Sequence, residues 1–275
     1  MAHPTLQRPS KLEAVNELQD LLNRIGALLT VDGDFGEATE RAVKEAQALA
    51  RLPVTGIADL PTWDWLETQP TPSPDLSTSD VTFIVREEVG SRKYYDQITA
   101  FPHFPGEASG VTIGIGYDLK YQGPDNFEED WGLELRPEDL QKLRPYLGKD
   151  GSSGAVAALK SIIITFPTAW RVFTKCSLPR YVGQTRSAYP QFITLPDGCR
   201  GVLVSLVYNR GTAMDGERRK EMKAIQAHLA AHDFTKVATE IEAMKRLWPN
   251  SQGLKDRRDR EVILWNKGLQ SAGLA

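Results

Sequence analysis

Glu88 stands where a core residue is due. Val81, Ile84 and Val85 recur at i, i+3 and i+4, and the next position of that stripe, i+7, is Glu88. Its neighbour Glu87 falls off the stripe and is expected to face solvent. A carboxyl group held among apolar side chains has its charged form disfavoured, so its pKa rises. An acid that stays protonated near neutrality can hand a proton to a leaving oxygen, which is the general acid's task when a glycosidic bond breaks. The alternative is a buried Glu88 paired with an arginine, Arg210 or one near the C-terminus, because ion-pair networks also place acids on inner faces. The two readings can coexist.

A second set lies in GVTIGIGYDL, Gly110 to Leu119. Val111, Ile113 and Ile115 predict a strand, with Thr112, Gly114 and Gly116 on one face and Ile113, Ile115 and Tyr117 on the other. Glycine weakens a strand and is kept where something approaches the backbone closely. The small, hydroxyl-bearing face suits a flat polymer such as a glycan. Thr112 can hold a water by hydrogen bonds, and Asp118, just beyond, can remove that water's proton. Gly114, Gly116 and Tyr117 are the candidate substrate contacts. The same GxGxG run also suits a bulge or close helix packing.

These residues need elements to hold them. Asp80 is a fitting N-cap for the helix that carries Glu88. A loop punctuated by Gly and Pro, YYDQITAFPHFPGEASG, joins that helix to the strand. CRGVLVSLVYNRGTAM reads as a buried helix over Val202–Tyr208, followed by Asn209 and Arg210, with Gly211 suited to its C-terminus. The 275 residues allow one large domain or a small and a medium one. Apolar and charged fractions of 41% and 25% are those of a globular chain, and a net charge of −3 gives no reason to expect a nucleic-acid partner. MAHPTLQRPSK lacks the apolar core of a signal peptide, and no apolar run reaches membrane-spanning length. The expectation is synthesis in a cytoplasm.

TQPTPSPDLSTSD, Thr68 to Asp80, is rich in Pro, Ser and Thr, and Pro70, Pro72 and Pro74 stiffen it toward an extended spacer. The domain boundary is placed there: a small domain over 11–67, a linker over 68–79 and a large domain over 80–270. The small domain reads as three short helices. Leu12, Val15, Leu18, Leu22 and Ile25 mark the first; Ala42, Val43, Ala46 and Leu49 mark the second; Thr62 caps the third, which bears Trp63 and Leu66. Its turns are DGDFGEAT and VTGIAD.

Leu18-Gln19, Leu21-Leu22, Asp32-Gly33-x-Phe35-Gly36-x-x-Thr39, Val43, Gln47, Gly56-Ile57 and Thr62-Trp63 resemble the peptidoglycan-binding domain of bacterial and phage wall hydrolases. The resemblance covers nearly the whole small domain, and in it Asp32, Phe35, Thr39 and Trp63 mark the wall-binding module. It implies that the module holds the chain on murein and raises local concentration.

Glu88, the loop and TIGIGYD resemble the phage-type lysozymes. With Asp six residues after Thr, SGVTIGIGYDL is more similar to the pesticin-like branch. Carried over, the residues are Glu88 (acid), Thr112 (water positioning) and Asp118 (base or electrostatic partner). Commoner members place their Asp before the Thr in a YxD context, which Tyr94-Tyr95-Asp96 resembles, so Asp96 competes with Asp118 for one role. The helix ending at Asn209-Arg210-Gly211 is similar to the family's ALxSLxFNxG element, which makes Asn209 and Arg210 sugar contacts or partners tuning Glu88. RLWPNSQGLKDRRDREVILW is similar to its closing helix, with Arg257 and Arg258 one turn before Glu261 as structural ion pairs.

The resemblance implies a mainly α (α+β) protein: a three-helix peptidoglycan-binding bundle, a linker, and a lysozyme-like helical domain with a small β-hairpin. It implies a modular endolysin, a muramidase that hydrolyses the β-1,4 bond between N-acetylmuramic acid and N-acetylglucosamine. It needs no cofactor and no metal, inserts in no membrane, acts as a monomer and is released by a separate pore protein. A lytic transglycosylase on the same bond and a non-catalytic wall-binding protein are the alternatives.

Weaker signals are bland by comparison. His228 and His232 lie four apart on a predicted helix, but no third ligand and no HExxH glutamate accompany them. Arg218-Arg219-Lys220 and Lys223 read as a solvated face. Trp131, Trp170 and Trp248 can stack on sugars, although most tryptophans here are expected in the core. Cys176 and Cys199 lack metal or CxxC spacing and read as buried thiols.

Overall fold

Two buried glutamines fix the turns of the N-terminal bundle. The computed structural model describes residues 3–106 and 109–275; Met1 and Ala2 of the MAHPTLQRPSK stretch, and Glu107 and Ala108 of the loop before Gly110, lie outside the described residues. Helices α1 (Glu13–Arg24), α2 (Glu37–Leu49) and α3 (Leu60–Glu67) form the bundle. Gln19 on α1 accepts the Asp32 and Gly33 N–H groups at 2.9 and 3.1 Å and donates to the Asp32 carboxylate at 2.8 Å. Gln47 on α2 accepts the Thr55 and Gly56 N–H groups at 3.0 and 2.9 Å and donates to the Ile57 carbonyl at 2.8 Å. The same device is thus used at both turns, and Gly33 and Gly56 supply the left-handed backbone (φ 74° and 78°) that each requires. Val15, Leu18, Leu22, Phe35, Val43, Ala46, Trp63 and Leu66 fill the core.

Three details of this bundle differ from the pattern read in the sequence. Leu12 and Leu49, placed on apolar stripes, are 55% and 49% exposed, because α1 starts after the first and α2 ends at the second. The cap of α3 is Asp59, whose carboxylate accepts the Thr62 N–H at 3.2 Å and hydroxyl at 2.5 Å.

The described chain divides into two compact units, Met1–Pro72 with Glu88–Ser177, and Ser73–Glu87 with Leu178–Ala275. The wall-type bundle therefore belongs to the same unit as the glycine-bearing segment, rather than standing apart behind a spacer. Arg92, on the single turn α5 (Arg92–Tyr94), ties them: its guanidinium donates to both Glu45 oxygens at 2.7 and 3.1 Å and to the Gly26 carbonyl at 3.2 Å, and lies 4.0 Å above the Phe166 ring. A side chain on Gly26 would meet Phe166 and Trp170 at 2.7 and 2.8 Å, so only glycine permits that approach. Pro70 and Pro72 line a groove of 460 Å³ with Leu49, Trp65, Pro167 and Trp170.

The rest of the first unit comprises the hairpin strands β1 (Thr112–Ile113) and β2 (Tyr117–Asp118) and the helices α6 (Pro124–Trp131), α7 (Pro137–Leu143), α8 (Ser153–Leu159) and α9 (Phe166–Val172). Helix α4 (Thr78–Val89) gives all but its last two residues to the second unit, with α10 (Leu178–Ala188), α11 (Cys199–Arg210), α12 (Lys220–Ala230), α13 (Phe234–Ala243) and α14 (Gln252–Ser271).

In that unit α4 begins two residues before Asp80, so Asp80 is not its cap; the Ser77 hydroxyl accepts the Asp80 N–H at 3.2 Å. Asp80 is instead buried against the start of α11, where its carboxylate accepts the Gly198 N–H at 2.8 Å. Glu87 does not face solvent: its side chain is 4% exposed, and Arg260 on α14 donates to both its oxygens at 2.6 and 2.7 Å. Arg257 and Arg258 hold Glu261 as expected, at 3.3 and 2.8 Å, and the Ser205 hydroxyl donates to the same carboxylate at 2.7 Å, all fully buried. The protein is mainly helical with one two-stranded antiparallel sheet among the described residues.

Candidate active site

The Gly110–Leu119 stretch is a hairpin, not one strand. Thr112 pairs with Asp118 and Ile113 with Tyr117, and the chain reverses through Gly114-Ile115-Gly116. Both glycines have positive φ, 56° and 64°, which is why the turn needs them; they do not extend a small strand face. Gly114 also lies under Trp131, where a Cβ would come within 2.8 Å of the ring. The register puts Thr112 and Asp118 directly opposite, on one face of the sheet.

The Thr112 backbone looks the other way. Its N–H donates to the His103 carbonyl at 2.8 Å, and its carbonyl accepts the His103 N–H at 3.0 Å. A bridge at His103 thus gives the hairpin a third edge. Asp118 is half-buried, and its carboxylate closes the hairpin base: the Gly110 N–H donates to both oxygens at 3.0 Å and the Lys120 N–H to Oδ1 at 2.8 Å. Lys120 is held by Asp150 at 2.5 Å. Tyr117 turns inward, donating its hydroxyl to Asp130 at 2.9 Å and meeting Trp131 edge-on at 5.5 Å, so it supports the turn from below.

Glu88 sits on the last turn of α4, half-buried, between the buried Val85 and Val89 and in the same unit as the hairpin. Asp96 is exposed on the wide turn Tyr95–Thr99 and lines a 360 Å³ pocket with Arg41, Lys44, Glu45 and Arg92. The structure therefore sets Asp118 on the Thr112 hairpin and Asp96 beside the N-terminal bundle.

Asn209 and Arg210 end α11 in the second unit. Asn209 is exposed and accepts from Arg258 at 3.4 Å. Arg210 is buried, donates to the Arg218 carbonyl and lies 5.1 Å from the Trp248 ring, whose other neighbour is Arg258 at 5.5 Å. Burial, aided by Arg219 and Arg258, brings the Arg210 pKa down to about 10. Of the wall-module residues, Phe35, Thr39 and Trp63 are buried and make the core, while Asp32 is exposed in the Gln19-bound turn. The wall-type motif builds this bundle's turns and core.

The His228 and His232 spacing does not survive folding: α12 ends at Ala230, and His232 follows in left-handed backbone (φ 58°). No cluster of metal-ligating side chains occurs among the described residues. Cys176 and Cys199 are free thiols, and Cys199 is buried. No helix of the described residues is long and apolar enough to cross a membrane. The sequence reading missed His103, which belongs to the hairpin only through a non-local bridge and lies in a Pro-rich loop with no periodicity. It also missed Asp130, the partner of Tyr117.

No curated protein matches the chain. Among solved structures it is similar to the crystal structure of the Burkholderia AP3 phage endolysin, at 18% identity over 96% of this chain and 100% of that one, with a TM-score of 0.24. A TM-score that low carries neither fold nor activity from one chain to the other. Residues 11–66, which include all but the last residue of the bundle's helices, match the family described as "Putative peptidoglycan binding domain", and it is this domain that the Gln19 and Gln47 turns build.

Proposed function

We propose that the chain is a modular endolysin with muramidase activity. It hydrolyses the β-1,4 bond between N-acetylmuramic acid and N-acetylglucosamine while its N-terminal domain holds it on the same polymer. The observation that carries this reading is the Thr112–Asp118 pair, brought face to face by the hairpin register in a chain that also bears a peptidoglycan-binding domain. Glu88 gives a proton to the leaving oxygen, Thr112 holds the attacking water, and Asp118 balances charge at the anomeric carbon. Gly114 and Gly116 contribute to the sugar-binding surface, and the chemistry needs no cofactor. The protein acts as a monomer on the periplasmic wall, reached through a pore made by another protein.

Digestion of purified murein tests the reading. New reducing ends without 1,6-anhydro products are expected, and Glu88→Gln should abolish them while its circular dichroism stays that of the wild type. Anhydro products would mark a lytic transglycosylase instead. Binding without cleavage would mark a wall-binding protein.

A further inference from the structure

Among the described residues, His103 is a titratable side chain that the fold adds to the Thr112–Asp118 pair without any sequence signal. It exchanges both backbone hydrogen bonds with Thr112, and Thr112 stands opposite Asp118, so the three residues form a row across neighbouring edges. Directly opposed residues of antiparallel pairs share a face, with Cβ atoms about 4.5–5.5 Å apart. The row therefore presents an imidazole, a hydroxyl and a carboxylate side by side.

The ring's proton arrangement follows from its partner. His103 Nδ1 lies 3.2 Å from the Phe101 carbonyl. A carbonyl oxygen only accepts, so Nδ1 carries the hydrogen, and in the neutral ring Nε2 is left with a bare lone pair. Burial is the main influence on this ring and holds its pKa below the ordinary histidine value, against the opposing pull of the Phe101 carbonyl and the Asp118 carboxylate. Among the described residues, Asp118 is the charged group acting on it; the nearby Lys120 pairs with Asp150.

Asp118 is a poor candidate for taking the proton alone. A carboxylate offers about four lone-pair sites, and the backbone N–H groups of Gly110 and Lys120 already make three contacts with these two oxygens. Its geometry is that of a clamp on the hairpin base.

We propose that His103 is a catalytic residue, the acceptor of the proton released by the attacking water. This rests on the muramidase reading. In the step, the water held by Thr112 forms a bond to C1 of N-acetylmuramic acid, and one water proton passes to Nε2 of His103. The bond from C1 to the glycosidic oxygen breaks, and that oxygen takes the proton of Glu88. The imidazolium formed is balanced by the Asp118 carboxylate and then loses its proton to solvent, while Glu88 regains one. The net change is the addition of one water across the bond.

The test is the pH profile of murein hydrolysis by the full chain and by His103→Gln. Both cross-strand bonds of His103 are made by its backbone, so the substitution leaves the hairpin intact, and His103→Asn serves if circular dichroism shows that Gln disturbs folding. In the wild type kcat/KM should fall on the acid side as the imidazole takes up a proton and can no longer accept one. The variant should lose roughly 100-fold in kcat, with little change in KM, and should lack that acid limb. Wild-type kcat and an unchanged profile would overturn the proposal. So would a loss of kcat that leaves the acid limb in place, since that marks a structural role. Failure of the muramidase reading is seen separately, as a wild-type digest without reducing ends.

Discussion

Thr112 and Asp118 face one another across β1 and β2 as a pair that shares no backbone hydrogen bond, the Val111 carbonyl beside them accepting the Leu119 N–H at 2.9 Å. In such a pair the side chains come closer than in a hydrogen-bonded one. A hydroxyl-bearing and a carboxylate-bearing residue six apart in sequence thereby come to stand opposite each other on one face.

The two members should respond differently to substitution. Thr112→Val keeps the branched shape and removes the hydroxyl, so it should lower murein hydrolysis at least about 100-fold while costing no more than about 1 kcal/mol of stability. Asp118→Asn sets an NH₂ group against the Gly110 N–H and should cost about 1–3 kcal/mol as well as activity. Reducing-end release with urea denaturation of both variants separates the effects. Equal stability losses would contradict the assignment of Asp118 as the clamp.

Gly114 and Gly148 make a matched comparison. Both have positive φ, 56° and 69°, but a Cβ on Gly114 meets Trp131 at 2.8 Å, whereas one on Gly148 meets nothing within 4 Å. Gly148→Ala should therefore cost only the left-handed backbone strain, about 1–2 kcal/mol. Gly114→Ala should cost about 3 kcal/mol or more, because the ring must also move. Thermal melts of the two variants check the ordering.

Asp80 predicts a pH dependence of stability. Burial pushes its carboxyl up to about 6, with Asp197 adding to the effect and bonds from Ser77 and Gly198 opposing it. The folded value lies above the unfolded value of about 3.9, so between the two the folded state binds more protons. The contribution is full below about pH 4 and is lost as pH rises through about 6, a change on the order of 2–3 kcal/mol. Asp80→Asn keeps an acceptor for Gly198 and carries no charge. Its urea midpoint should lack this decline from pH 4 to 7 and exceed that of the wild type at pH 7. Parallel curves for the two proteins would contradict the assignment.

Arg92 is predicted to hold the bundle to the rest of its unit. Its side chain is 12% exposed and bridges Glu45, the Gly26 carbonyl and the Phe166 ring. Arg92→Ala should cost about 2–3 kcal/mol, and a double-mutant cycle with Glu45→Ala should give a coupling above about 1 kcal/mol. Arg92→Lys should recover only part of it, because an ammonium cannot make the two-pronged contact. Additive single effects in the cycle would argue against a direct pair.

Local chemistry was readable in the chain where it depends on neighbours in sequence. The bundle helices, the buried Val81-Ile84-Val85 stripe, the C-terminal glycine of α11 and the Arg257/Arg258–Glu261 pairing all follow from helical spacing or from glycine's backbone freedom. Asp80 and Glu87 were misread because their partners, Gly198 and Arg260, lie 118 and 173 residues away. In TIGIGYD alternation suggested one strand while the family resemblance implied a small β-hairpin, and the hairpin is what forms, because Gly114 and Gly116 take up positive φ and let the chain reverse.

The helical bundle, its peptidoglycan-binding signature and the residue types available for acid chemistry are legible along the chain, because each is encoded within a few neighbouring residues. That Thr112 faces Asp118 with His103 alongside, and that Asp96 lies beside the bundle instead, emerges only once the chain is folded. Strand register and non-local bridges are set by where the whole chain can bury its apolar surface and pair its backbone, and no local pattern carries that information.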